Sequence, residues 1–352
     1  MLIPDDVLDG EGTRLTIRRA WPQDNGRLII EAVEEDTGRL RAGHLDAGGT
    51  VTVTPFGEDP ALAGLPAAVD AGELLVHRFD RRAVVRTDSA YLKLLPPRKV
   101  TRVVTAHATA AELIAAAGIA TPRVTSVDGG TLTLSTVPGA SLYDLGLSRG
   151  GADSGTLTTL ERAWSGWADQ WPSFITAPRG DAAALPSYRP EDEVETLTTW
   201  MVRCLDFGAL PVPDDTLRSA VREAAGRLLD GTPQTPVLSH RDLHDKQVLI
   251  SGGDTGNGTL GLIDCDTLAL AEPALDLANL LVHLSFREAQ GLLSARRRAA
   301  GERAILALAE ELSVSGDRLS AYALSTKLRL ACIYAFRPRW RTLTKDWFHE
   351  AV

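Results

Sequence analysis

Three oxygen-bearing side chains stand at a spacing that suits phosphoryl transfer. Residues 236–281 read PVLSHRDLHDKQVLISGGDTGNGTLGLIDCDTLALAEPALDLANLL. His240-Arg241-Asp242-Leu243 is followed by Gln247, five residues after Asp242. Two apolar runs, VLIS and LGLID, flank a Gly/Asn/Asp turn. Asp264 ends the second run and Asp266 lies two residues on. A phosphoryl-transfer site needs one carboxylate beside the attacking hydroxyl, to orient it and accept its proton. It also needs oxygen ligands for Mg²⁺, a hard octahedral ion that bridges phosphates. A hairpin of VLIS on LGLID returns Asp264 to the Asp242–Gln247 loop, so the three side chains can converge on one point.

Other residues around this loop have two readings each. His240 fixes the loop by hydrogen bonding rather than doing chemistry. His244 and Asp245 face either a substrate or solvent, and Lys246 either touches phosphate or pairs with Asp245. Asp266 either supports the site as a further acid or caps the next segment, and Asp276 braces the loop from a helix. The chain has only five lysines, Lys93, Lys99, Lys246, Lys327 and Lys345. Lys93 lies on the apolar run YLKLL, where an inward lysine could hold nucleotide phosphates as a point charge. Lys99, after Pro96–Pro97, is its rival.

The elements that must position these groups follow from periodicity. TRLTIRR, RLIIEAV and TVTVTPF alternate as strands, separated by turns at Asn25–Gly26 and Ala47–Gly49. ELLVHRF (73–79), AVVRT (83–87) and YLKLL (91–95) form a second β group. A helix is expected from about Val103 to Gly118, then strands at Thr121–Val127 and Thr131–Val137. After Pro138–Gly139 the chain reads as helix, except for the β island at 237–268. The expected division is a β-rich cap or extension at 1–72, a β-rich lobe at 73–138 and an α-rich lobe at 139–352. This segregation of strands and helices is α+β rather than alternating α/β.

HRDLHDKQ followed by LIDCD resembles the catalytic and metal loops of the aminoglycoside phosphotransferase and choline kinase-like family of small-molecule kinases. That family's pattern is H-x-D-x-x-x-x-N, then an apolar strand ending in Asp. The resemblance runs from about Leu74 to the C-terminal helices. It implies a bilobal protein kinase-like fold, with ATP and Mg²⁺ as cofactors. Asp242 would be the catalytic base and Asp264 the principal Mg²⁺ ligand. Gln247 stands where the family usually has Asn, and its amide oxygen would be the second ligand. Lys93 would hold phosphate. A Glu on the following helix normally pairs with that lysine, and the candidate is Glu112, about one turn later than expected, with His107 nearer the place. Backbone at Ser135–Val137 would meet adenine at the hinge. The first turn, Asp80-Arg81-Arg82, has no Gly-rich phosphate motif, which leaves Arg81 or Arg82 as possible phosphate contacts.

Substrate signals are sparser. Trp164, Trp167 and Trp171 have helical spacing and read as core. The EDEVE run at 191–195 suits a helix's first turn. The aromatic-basic stretch YAFRPRWR, including Tyr334, Arg337 and Trp340, either lines the substrate cleft or braces the last helices. The leading expectation is an ATP-dependent kinase of a small-molecule hydroxyl: an aminoglycoside, an amino sugar or another sugar. The alternatives are a choline/ethanolamine-type alcohol kinase, or a nucleotide-binding regulator with impaired catalysis. A protein kinase is disfavoured, because TLALAEPALDL runs straight into a helix with no activation segment or A-P-E.

Composition narrows the rest. Acids number 46 and bases 37, a net charge of −9, which argues against nucleic acid and anionic membranes as partners. Residues 1–72 hold 13 acids and 6 bases, and the remainder 33 and 31, so the acidity belongs mainly to the N-terminal segment. Three scattered cysteines form neither a disulfide framework nor a zinc motif. No apolar run is long enough to span a membrane, and the expected setting is the cytoplasm.

Overall fold

The computed structural model describes residues 3–147, 154–177, 185–252 and 258–352. The turn expected between VLIS and LGLID falls at 253–257, outside the described residues. The first unit is an antiparallel meander of β1 (Asp6–Leu8), β2 (Arg14–Pro22), β3 (Leu28–Glu34), β4 (Leu40–Leu45) and β5 (Val51–Val53), in that spatial order. Gly26 and Gly49 take positive φ in its turns, as the Asn-Gly and Ala-Gly-Gly signals require.

β3 is the key to where this sheet sits. Six of its seven residues are buried, so both of its faces are covered. Leu28, Ile30 and Ala32 join Leu197, Phe207, Phe286 and Phe336 in one core with the C-terminal helices. On the opposite face, Val33 packs with Leu40 of β4, Leu65 of the connecting segment, and Leu74 and Val85 of the following lobe. Glu31, fully buried, pairs with Arg19 at 2.7 Å and accepts the His77 backbone N–H at 2.9 Å. The sheet is thus a layer between two lobes, sharing a core with each.

After α1 (Leu65–Ala71), the next sheet contains β6 (Glu73–Arg78), β7 (Arg82–Arg86), β8 (Ala90–Leu94), β9 (Val124–Asp128) and β10 (Thr131–Ser135), ordered β6-β7-β8-β10-β9. Between β8 and β9 runs α2 (Pro97–Ala116). It starts six residues before the expected Val103, because Pro97 at its first position is pre-set for a helix start rather than a loop. The remaining strands are β11 (Ala140–Ser141), β12 (Val237–Ser239), β13 (Val248–Ser251), β14 (Thr259–Leu262) and β15 (Ala269–Ala271). The helices of this lobe are α3 (Leu142–Gly146), α4 (Ser154–Ile175), α5 (Pro190–Phe207), α6 (Asp214–Asp230), α7 (Pro273–Ala289), α8 (Ala295–Glu311), α9 (Gly316–Tyr334) and α10 (Arg341–His349).

The Trp164, Trp167 and Trp171 stripe of α4 is buried as core, with the first two rings edge-on at 5.6 Å. Gly301 lets α8 approach: a Cβ there would lie 2.6 Å from Leu284 and 2.7 Å from Trp164. Of the EDEVE acids, Glu193 is buried against Tyr188 and Ser325, while Asp192 caps α5. β13 pairs antiparallel with β14, Val248 opposite Leu262. This register places the Asp242–Gln247 loop beside the end of β14, from which Asp264 projects. No helix among the described residues is long and apolar enough to cross a membrane.

Candidate active site

The loop from His240 to Gln247 is braced from beneath, and Asp242 is left exposed on it. Asp276 of α7, itself buried, accepts the backbone N–H groups of His240 at 2.7 Å and Arg241 at 2.8 Å. Burial pushes its carboxyl up to about pKa 6. Asn279 donates to the Arg241 carbonyl at 3.0 Å. The buried His240 ring contacts the Ile263 carbonyl at 3.0 Å, joining the loop to the strand end before Asp264. These bonds hold Arg241 at φ +72° and coexist with Asp264 at φ +60°. Left-handed backbone is costly for side chains of this size and survives where the surroundings over-determine it.

Sequence reasoning found Asp276 but missed the rest of its stripe. Asp276, Asn279, His283 and Arg287 recur at helical spacing along α7 and are all buried. Four polar residues on one face of an otherwise apolar, buried helix were a legible signal that something polar lies against it. Arg287 meets the buried Asp245 at 3.2 and 3.3 Å and donates to the Tyr334 hydroxyl at 3.3 Å. Asp245 is therefore an anchor for the loop, facing neither solvent nor substrate.

Lys93 sits in mid-sheet, opposite Val84 and Leu132, with its side chain directed inward. Its ammonium donates to Asp266 at 2.9 Å and lies 4.0 Å from Asp264. The expected pairing with Glu112 is not formed: Glu112 is on the exposed face of α2, and the buried His107 comes to 3.4 Å from Lys93 instead. Glu112 is five residues beyond His107, about 140° further round a helix of 3.6 residues per turn, which puts it on the wrong side; Asp266 supplies the carboxylate from the other lobe. Burial and the Lys93 charge hold the His107 pKa down, so the ring is neutral there. Burial raises Asp266, yet Lys93 outweighs it and holds the carboxyl at about pKa 2. Asp264 shifts the other way, raised by burial and then by Asp266 and Asp242. Its side chain remains 44% exposed, so it is open to a cation. Arg82, the first residue of β7, is close enough to act on Asp264 electrostatically.

Gln247 is buried, and its amide oxygen accepts the His244 N–H at a long 3.3 Å. A bond that long leaves the oxygen a lone pair for another partner. Mg²⁺ is commonly held by one or two protein oxygens plus phosphates and water. An open carboxylate at Asp264 and an amide oxygen at Gln247 fit that demand.

The hinge candidates lie where the chain passes between lobes. Ser135 closes β10 and exchanges hydrogen bonds with Arg123. Val137 packs against Gly261, where a Cβ would come within 2.4 Å. YAFRPRWR packs mostly into the shared core. Tyr334, Phe336 and Trp340 join it, and Arg341 reaches the Ile3 carbonyl near the N-terminus. The Tyr334 hydroxyl accepts from Arg287, which also holds Asp245 of the loop, and the Arg337 guanidinium lies 3.7 Å over the Tyr334 ring. His244 stacks on His283 at 4.9 Å, with Asp242 near enough to influence its charge.

Residues 72–312 match the phosphotransferase enzyme family. No curated protein matches the chain by sequence. Among solved structures the chain is similar to the GDP and kanamycin complex of APH(2")-IIia, at 16% identity and TM-score 0.56, covering 79% of this chain and 92% of that one. It is similar to the aminoglycoside phosphotransferase APH(3'')-Id of Streptomyces rimosus, at 21% identity and TM-score 0.52, covering 78% and 96%. It is also similar to a choline/ethanolamine kinase family protein of Mesorhizobium loti, at 16% identity and TM-score 0.52, covering 81% and 92%. At these identities the likeness to solved structures is one of fold: β-rich and α-rich lobes arranged as in kinases. The family match spans more than half the chain and contains both the HRDLHDKQ loop and the strand ending at Asp264; the chain belongs to the phosphotransferase enzyme family and is a small-molecule phosphotransferase.

Proposed function

We propose that this protein transfers the γ-phosphoryl group of ATP to a hydroxyl of a small molecule, with Asp242 as the base. The observation that carries the reading is the contrast within one loop. The backbone of His240 and Arg241 and the side chain of Asp245 are tied to the fold, whereas Asp242 is exposed and near enough to Asp264 to act on its charge.

Asp242 orients the acceptor hydroxyl and takes its proton as the new oxygen–phosphorus bond forms and the γ-phosphorus–oxygen bond to ADP breaks. Lys93, at 2.9 Å from Asp266, is placed to meet the nucleotide phosphates as a point charge. Asp264 and Gln247 are the residues that would hold Mg²⁺, which supplies neutralisation of the phosphate charge when bound. The Ser135–Val137 crossing is the proposed adenine contact, through backbone. Braced backbone at His240 and Arg241 keeps the Asp242 carboxylate from reorganising during transfer.

The test is ADP formation over a panel of hydroxyl compounds with Mg·ATP, wild type against Asp242→Ala. Acceptor-dependent turnover lost in the variant supports the assignment. Nucleotide binding with no phosphorylated product would favour the impaired-regulator alternative.

A further inference from the structure

Beside Asp242 not every cation of the α-rich lobe has a carboxylate partner. Asp245 is consumed by Arg287: both side chains are nearly buried, and two contacts of 3.2 and 3.3 Å join them. Two cations remain in the same cluster, Lys246 on the catalytic loop and Arg337 after α9. Among the described residues neither has a carboxylate within ion-pair distance. Their neighbours are aromatic instead. Lys246 lies 4.1 Å from the centre of the Tyr143 ring, and Arg337 lies 3.7 Å from that of Tyr334. A ring face orients a cation without neutralising it.

Two groups on the cluster's inner side respond to this field. Burial raises the Tyr334 hydroxyl, but Arg337 and Arg287 outweigh it and bring its pKa below the usual value. Burial lowers His283, and His244, then Arg287, Arg329 and Arg337, lower it further, so the ring stays neutral. These two cations without a direct carboxylate partner occur in a chain whose net charge is −9. Two such cations close to one cluster are what an anionic ligand group can pair with.

We propose that the acceptor is a hydroxyl compound bearing an anionic oxygen group, a phosphate ester or a carboxylate, held by Lys246 and Arg337, and that cationic aminoglycosides and quaternary-ammonium alcohols are excluded. This rests on the kinase reading for the transferred group but not for the charge preference. A polyamine sugar would bring ammonium groups against two uncompensated cations. A quaternary ammonium would need an open aromatic face, and one face of Tyr143 and one of Tyr334 already carry Lys246 and Arg337. An anionic group, by contrast, supplies the missing partner to both cations at once.

The experiment is calorimetric titration of the full-length protein saturated with Mg·ADP, at fixed ionic strength, with inorganic phosphate, gluconate, kanamycin and choline as probes. Phosphate or gluconate is expected to bind and the two cations to give no heat. Lys246→Gln and Arg337→Gln should each weaken the anion by about fivefold or more, the size of one partly exposed charge pair, with Mg·ADP affinity unchanged. Phosphate alone would identify a phosphate ester, gluconate alone a carboxylate, and both the shared chemistry. Absence of anion binding, anion binding indifferent to Lys246→Gln, or binding of kanamycin or choline would overturn the proposal. Lys246 is exposed, so its variant decides the matter even where Arg337→Gln perturbs folding. If Mg·ADP itself fails to bind, the kinase reading fails, while the same titrations without nucleotide still decide the charge preference.

Discussion

Lys93 and Lys246 carry the same charge on opposite lobes of the site, and the fold gives them different company. Lys93 is buried and bonded to Asp266 at 2.9 Å, with Asp264 at 4.0 Å. Lys246 is exposed and backed by the Tyr143 ring. Arg287 and Arg337 repeat the contrast within the α-rich lobe: the first is locked to Asp245, the second lies on Tyr334. An acid partner fixes a cation's position and offsets part of its charge, for Lys93 within reach of the proposed phosphate site and for Arg287 inside the fold. A cation on a ring keeps its charge for whatever enters the cleft.

Substitutions along this series should separate the two kinds. Arg287→Ala leaves Asp245 buried without its partner and is expected to cost about 3–5 kcal/mol, the usual effect of breaking a buried pair from one side. Denaturant unfolding checks it, and a cost near zero would remove the distinction. Lys93→Ala is expected to cost less, about 1.5–3 kcal/mol for one charged hydrogen bond, because Asp266 remains partly exposed. It should also raise the KM for ATP, which initial-rate kinetics would show. Lys246→Gln should leave stability within about 0.5 kcal/mol of wild type and act on the acceptor alone. Equal unfolding costs at Lys93 and Lys246 would mean that the acid partner makes no difference.

A separate prediction concerns the N-terminal sheet, which shares its core with the C-terminal helices. Ile30→Ala, at a fully buried position, should destabilise by about 2–5 kcal/mol. Scanning calorimetry should show one transition shifted downward rather than an early melting step of the first sheet. Two resolved transitions would mean that the sheet is an independent cap.

Much of this architecture was legible because it repeats at short range. The strands from β6 to β10 fall within a few residues of where alternation put them, and helices predominate after Pro138–Gly139. β4 escaped because LRAGHL is buried on both faces and does not alternate. In the site, the HRDLHDKQ loop, the LIDCD strand end and Lys93 could be read from order and spacing. The partner of Lys93 could not, since Asp266 is 173 residues away and nothing local distinguishes it from a cap. The pairing of Asp245 with Arg287, 42 residues apart, was equally invisible as a pair. Only the polar stripe on α7 announced that some such partner existed. Glu112 failed for a simpler reason: helical phase, which places His107 rather than Glu112 toward Lys93.

Asp242 lies between the two lobes' cations, and the account stands or falls with it. The most direct measurement compares Asp242→Asn with wild type, following ADP formation with Mg·ATP and a phosphorylated-product assay over anionic and neutral hydroxyl compounds, alongside calorimetric binding of Mg·ADP. Loss of a positioned base should lower kcat by about 10²–10⁴-fold while the Mg·ADP affinity and unfolding midpoint stay unchanged, because the Asp242 side chain is exposed and the loop's braces do not pass through it. Turnover that survives the substitution undiminished would contradict Asp242 as the base and, with it, the central reading of the site.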